Sequence, residues 1–321
     1  MTIVVFGAGG VGAFYGGLLA RAGHDVRFVA RGPQLQALRT RGLHISSRAL
    51  GEIDLPALPA VERAAEIGHA DLVLIAVKAY QTAGILDDVA ALVGDDTLLI
   101  ALQNGVESDE ILARRFGAHR VIGAVVYVGA TLERPGLVRH VAAGTLVIGD
   151  RGAVGADRME RAREVLAATG LPVRITPDIE RQRWHKLAWN ASFNAISALT
   201  LRSSQDLLAT PAARDLLVAV MREVVAVANA RGVALGDADI EQLVAATEKA
   251  APIRTSMLVD RERGRQLETD ALVGVIVRSG KALGVSTPIT SVLYALLTAI
   301  SANEQVTRHL PPMEAGSFSP Q

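Results

Sequence analysis

The chain has 321 residues, 33 basic against 33 acidic, half of them hydrophobic and only 4% aromatic. That length and apolar content suit two domains with aliphatic cores, and without a basic stripe nucleic acid is a poor partner. The absence of cysteine excludes disulfides, thiolate metal sites and a cysteine nucleophile, and it is neutral toward the cytoplasmic setting that is expected.

Residues 2–6 are an apolar run stopped by glycines, which reads as a buried strand and lacks the basic lead of a secretory signal. Residues 10–22 read as a helix ended by Gly23, and 25–30 as a second strand, completing a βαβ unit. Further strands are expected at 72–77, 97–102, 121–127, 146–148 and 173–175, with helices or loops between most of them. The alternation predicts an α/β Rossmann-type fold with a largely parallel, doubly wound sheet. After Pro177 the pattern changes to helices at 179–199, 212–231, 237–250, 268–283 and 291–301. The expected domains are therefore 1–177, binding a nucleotide, and an all-α 178–321. The uncharged stretch 282–303 has the length of a membrane span, but Gly284, Pro288 and several Ser and Thr interrupt it. It predicts a loop followed by one buried helix, and no membrane span. From Pro311 a Pro/Gly/Ser-rich tail is expected to fray.

The first strand ends in Gly7-Ala8-Gly9-Gly10-Val11-Gly12, which fits G-x-G-x-x-G. In a dinucleotide site Gly7 makes the tight turn, Gly9 lets the pyrophosphate approach, and Gly12 lets helix and strand pack closely. A purely structural turn could carry the same letters, but the strand–turn–helix–strand context favours the cofactor. After the second strand stands Arg31, 19 residues past Gly12, where NAD enzymes carry an acid. A guanidinium there favours the 2′-phosphate of NADPH, although a solvated loop arginine would look the same. Lys78 ends another strand, at the carboxyl edge where such sheets bind ligands, as a surface lysine also could.

Lys186, Asn190 and Asn194 are spaced i, i+4, i+8 and would share one face of an α-helix. They read either as a wetted face or as a site in which Lys186 donates a proton and the amides hold a polar substrate. Ketone reduction needs hydride from one side and a proton for the developing alkoxide. Asn104, in Gln103-Asn104-Gly105 at another strand end, reads as a bridge between cofactor and substrate or as a plain Asn-Gly turn. The seven histidines show no metal-binding spacing, so no metal is expected.

These residues resemble the ketopantoate reductases (2-dehydropantoate 2-reductases). The resemblance is carried by V-V-F-G-A-G-G-V-G from Val4, Val29-Ala30-Arg31-Gly32, Val77-Lys78-Ala79-Tyr80-Gln81-Thr82, Leu102-Gln103-Asn104-Gly105-Val106, Pro135-Gly136, the run Lys186 to Asn194, Ser256-Met257 and Glu268. It implies a Rossmann domain followed by a helical domain like that of 6-phosphogluconate dehydrogenases. It also implies reduction of 2-dehydropantoate by NADPH to (R)-pantoate and NADP⁺, on the route to pantothenate and coenzyme A. By resemblance Lys186 is the proton donor, and Glu268 the acid that holds that lysine or the substrate hydroxyl. Asn190, Asn194 and Ser256 bind substrate, Asn104 touches both ligands, and Arg31, Lys78 and Gln81 contact NADPH beside Gly7, Ala8, Gly9, Gly10, Val11 and Gly12. Leu267 and Thr269 depart from the family pattern, where Thr and an aliphatic residue are expected. The alternatives are reduction of another small 2-oxo acid and a nucleotide-binding sensor without turnover. Oligomeric state is open, a homodimer being one option.

Overall fold

A computed structural model describes residues 1–307 of the chain. Residues 308–321, and with them the tail from Pro311, lie outside the described residues. By its internal contacts the chain divides into two units, Met1–Leu187 and a second beginning at Ala188.

The first unit is built on one sheet of ten strands in the order β4-β3-β9-β8-β7-β6-β1-β2-β5, with β10 also paired to β9. The strands are β1 (Thr2–Phe6), β2 (Asp25–Val29), β3 (Leu43–Ser47), β4 (Gly51–Leu55), β5 (Ala60–Val61), β6 (Ala70–Ile75), β7 (Val93–Ala101), β8 (Val121–Arg134), β9 (Leu137–Gly149) and β10 (Val173–Ile175). From β8 to β5 every neighbouring pair is parallel. The reason is visible in β1. Ile3 and Val5 join the core on one face, while Val4 and Phe6 join the core on the other. A strand buried on both faces reads as one continuous apolar run, and helices must cover both sides. Helices α1 (Gly10–Arg21), α2 (Gly32–Thr40), α3 (Leu86–Ala90), α4 (Ser108–Phe116) and α5 (Ala156–Ala167) lie between the strands along the chain.

Two features of this sheet went unforeseen. The strands expected at 121–127 and 146–148 are the inner ends of β8 and β9, 14 and 13 residues long and paired antiparallel through the Pro135-Gly136 turn. The outer part of β8 is only half-buried or exposed, and in that of β9 the buried Val138 and His140 alternate with exposed residues, so neither reads as a continuous buried run. β3 and β4 form a second antiparallel pair whose Leu43 and Ile45 point inward while His44 and Ser46 are only half-buried.

The helical region begins with α6 (Ile179–Trp189), which runs through a π-helical turn, Asn190–Asn194, into α7 (Ala195–Thr200). Then come α8 (Ser204–Leu208), α9 (Pro211–Ala230), α10 (Asp237–Lys249) and α11 (Ser256–Glu262). A second π-helical turn, Asp270–Gly274, leads into α12 (Val275–Leu283), and α13 (Pro288–Thr307) follows. The axis of the second unit is α9, where Leu217, Val220, Met221, Val224 and Val227 make a buried stripe at helical spacing. In α13 the expectation of a buried helix fails. Leu293 and Leu297 are buried, but Val292 and Leu296 are 59% and 49% exposed, so only one face is covered. Among the described residues no helix is long and apolar enough to cross a membrane.

Candidate active site

The glycine turn lies between the end of β1 and α1. Gly7 has φ +99°, a conformation that side chains disfavour. A Cβ on Gly12 would stand 2.0 Å from the Gly7 carbonyl oxygen, so helix and strand approach too closely for any other residue. Gly9 differs, because a Cβ there would meet nothing within 4 Å. It is also the residue that caps α1, and no side chain caps that helix end. The first turn of a 12-residue helix thus begins beside open space, the arrangement that favours an anion.

Arg31 stands just past the end of β2 and immediately before α2, with its side chain 70% exposed and 4.0 Å from the Asp88 carboxylate. Lys78, half-buried just beyond β6, begins a tight turn in which the Gln81 side-chain oxygen accepts from its backbone N–H at 3.1 Å. Gln81 therefore shapes this turn as well as being an expected cofactor contact. Gln103 is tied to the same segment, its amide donating to the Thr82 hydroxyl at 2.6 Å.

Lys186 forms a polar centre in the first unit. Its Nζ donates to the Val126 carbonyl oxygen on β8 at 2.6 Å and to Asn104 Oδ1 just beyond β7 at 3.0 Å. It also lies 5.7 Å from the centre of the Tyr127 ring, whose hydroxyl is pushed above its usual pKa by burial. Lys186 and Asn104, far apart in sequence, are thus brought together as one station.

One turn before Lys186 stands a residue not foreseen as functional. Arg183 is 4% exposed, forms an ion pair with the buried Asp109 of α4, and donates through Nε to the Gly105 carbonyl oxygen at 3.2 Å. The signal available was the i, i+3 spacing of two cationic residues on one helix.

In the second unit Asn190 and Asn194 are 4% and 1% exposed, within the π-helical turn. The expected i, i+4, i+8 register is therefore not kept, because i→i+5 bonding widens the turn and breaks the α-helical spacing. The Ser192 hydroxyl donates to the Ala188 and Trp189 carbonyls, and the Trp189 and Phe193 rings stack at 5.0 Å across the same turn. The second π-helical turn packs directly on the first. Glu268 and Thr269, both buried, immediately precede it. Asn194 Oδ1 and Thr269 Oγ1 are buried with no hydrogen-bond partner among the described residues. Ser256 is exposed at the start of α11, which packs on the first π-helical turn. Among the described residues no group of three or more His, Asp or Glu could hold a metal ion.

Comparison with known proteins places this architecture. The family model Ketopantoate reductase PanE/ApbA matches residues 3–153, and Ketopantoate reductase PanE/ApbA C terminal matches 178–301. A 2-dehydropantoate 2-reductase of Mesorhizobium japonicum is 33% identical over 322 residues, covering 94% of this chain and 98% of its own. The crystal structure of 2-dehydropantoate 2-reductase from Geobacter metallireducens superposes with a TM-score of 0.89 at 34% identity, covering 93% of this chain and 99% of that one. A ternary structure of D-mandelate dehydrogenase with NADH and anilino(oxo)acetate shares the fold at a TM-score of 0.88 and 24% identity, covering 95% and 99%. Fold and relatives together define an oxidoreductase with a Rossmann-type sheet and an all-α second region. The chain belongs to the ketopantoate reductase family.

Proposed function

We propose that the protein reduces 2-dehydropantoate to (R)-pantoate with NADPH, a step toward pantothenate and coenzyme A, with Lys186 as proton donor. In this reading residues 1–177 hold the cofactor and 178–321 supply the catalytic lysine and the substrate contacts. The carrying observation is the Lys186 station. An ammonium group aimed by a strand carbonyl and an amide oxygen, at the carboxyl edge of a Rossmann sheet, is placed to meet negative charge.

The residues present fit a dinucleotide. Open space beside Gly9 and the uncapped start of α1 suit a pyrophosphate. The exposed guanidinium of Arg31 suits a 2′-phosphate, with Lys78 and Gln81 next to it in role and Asn104 touching both ligands. When bound, the nicotinamide supplies hydride to the keto carbon. The chain's own task is to neutralise the oxygen, and Lys186 does so by donating a proton from Nζ. Glu268 is the acid that acts with this lysine or with the substrate hydroxyl. Asn190, Asn194 and Ser256 bind the polar groups of the substrate, and the unpartnered oxygen of Asn194 supports that role, since a buried polar atom is stabilised by a ligand that completes it.

A second reading, reduction of another small 2-oxo acid, is favoured by Thr269, a hydroxyl buried without a partner among the described residues where the family pattern has an aliphatic residue. Loss of NADPH absorbance across a panel of 2-oxo acids, each repeated with NADH, separates the two. The first reading expects the highest kcat/KM for 2-dehydropantoate with NADPH. A clearly better 2-oxo acid would establish the second, and no turnover with any of them would favour a sensor.

A further inference from the structure

The Arg183–Asp109 pair is an expensive feature to bury, and α6 contains nothing that obliges it. The two side chains are 2% and 7% exposed. Charges taken this far from water need good geometry and added hydrogen bonds. Here Arg183 Nη1 and Nη2 and Asp109 Oδ1 have no hydrogen-bond partner among the described residues, so the pair is held by its charges and by the Nε bond to Gly105. The surroundings are made to fit them. On β8 a Cβ at Gly123 would stand 3.1 Å from Asp109 Oδ2 and 3.5 Å from Arg183 Nη1, so the strand presents no side chain beneath the pair. Asp109 lies in the first turn of α4, where the helix dipole favours an acid.

What the pair holds matters more than how it is held. Arg183 Nε donates to the carbonyl of Gly105, the residue after Asn104. One helical turn later, Lys186 Nζ donates to Asn104 Oδ1 and to Val126, three residues along β8 from Gly123. Two adjacent cations on α6 therefore grip two adjacent residues of one loop. Gly105 has φ +89°, so the loop turns sharply between them and its position is set by what it is tied to.

We infer that Arg183 and Asp109 are a positioning pair, fixing the Asn104-Gly105 loop against α6 so that the Lys186 ammonium is held in its working direction. This rests on Lys186 being the proton donor. The Asp109 carboxylate anchors Arg183 to α4, and Arg183 anchors the loop. Neither touches substrate or cofactor in this account, and both act through Lys186 and Asn104.

The test is a mutant cycle in steady-state kinetics with NADPH and 2-dehydropantoate, with folding followed by thermal unfolding and cofactor binding by fluorescence titration. Arg183→Lys keeps the charge beside Asp109 but loses the Nε donor to Gly105. It should fold and bind NADPH normally and leave KM nearly unchanged, while kcat falls ~10-fold, as expected when a catalytic group is slightly misplaced. In a Lys186→Ala background the same substitution should have no further effect, because its route of action is gone. The combined change Arg183→Met with Asp109→Leu removes both charges and should fold with the same kcat loss. Normal kcat in the folded variants, or an equal loss in the Lys186→Ala background, overturns the inference and leaves the proton-donor reading standing. Near-normal kcat in Lys186→Ala alone overturns that reading instead. If neither Arg183→Lys nor the double replacement folds, the pair is structural and the inference is wrong.

Discussion

The glycine turn of the first unit and the two π-helical turns of the second solve opposite problems. At Gly7–Gly12 side chains are removed, and what faces the open space beside Gly9 is backbone at a helix start. At Asn190–Asn194 and Asp270–Gly274 helical turns are widened, and two buried side-chain oxygens nearby have no partner among the described residues. A site made of backbone would recognise what all dinucleotides share. A site lined with buried amides and hydroxyls costs stability in the free protein, and its specificity can be altered one side chain at a time.

The sharpest way to break this contrast lies within the glycine turn. Gly12→Ala puts a carbon 2.0 Å from a backbone oxygen, and unfolding by urea should show a loss of about 3 kcal/mol or more, or no folded protein. Gly9→Ala meets nothing and should cost about 1 kcal/mol at most, the scale of a poorer helix cap. It should still weaken NADPH ~10-fold in a fluorescence titration if, as proposed, the new methyl would occupy the space of the pyrophosphate. Equal behaviour of the two variants would remove the distinction between packing and ligand glycines.

Next in size is cofactor choice. Arg31 is exposed and only loosely tied to Asp88, so Arg31→Ala should leave stability unchanged. It should weaken NADPH ~10–100-fold and NADH hardly at all, the scale of a lost charge-assisted pair. Equal affinity of the unmodified protein for both cofactors would contradict this.

The smallest effect tests the second half of the comparison. Thr269→Val keeps the shape and removes a hydroxyl that is buried without a partner among the described residues. Thermal unfolding of the free protein should show a gain on the order of 1 kcal/mol. The substrate KM should change in the same variant, whereas a gain in stability with unchanged kinetics would make the hydroxyl a passive defect.

The first of these regions was legible in the sequence and the second was not. β1, α1 and β2 follow from letters whose meaning is local. A continuous apolar run must be buried, and glycines at fixed spacing permit conformations that other residues resist. The outer part of β8 lacks that signal because it is half-buried or exposed, and that of β9 because buried Val138 and His140 alternate with exposed residues; the two pair with each other, and β9 also with β3. The π-helical turns depend on the Ser192 back-bonds, the Trp189–Phe193 stack and the packing of one turn on the other, none of which a 3.6-residue period reports. Lys186 and Asn104 could be singled out one at a time, but their 3.0 Å contact is a product of the fold. Arg183 and Asp109 were passed over because charged residues are ordinarily read as solvated, and only their burial reveals the pair.

The proposed chemistry turns on Lys186, and steady-state kinetics of Lys186→Ala tests it most directly. Removing a general acid lowers kcat by at least ~10²-fold, and that is the expected result here, with NADPH still bound in a fluorescence titration. Glu268→Ala should also slow turnover, and the double variant should lose less than the two losses combined if the residues act as a unit. A folded Lys186→Ala enzyme with near-normal kcat would contradict the account and assign the proton to another group.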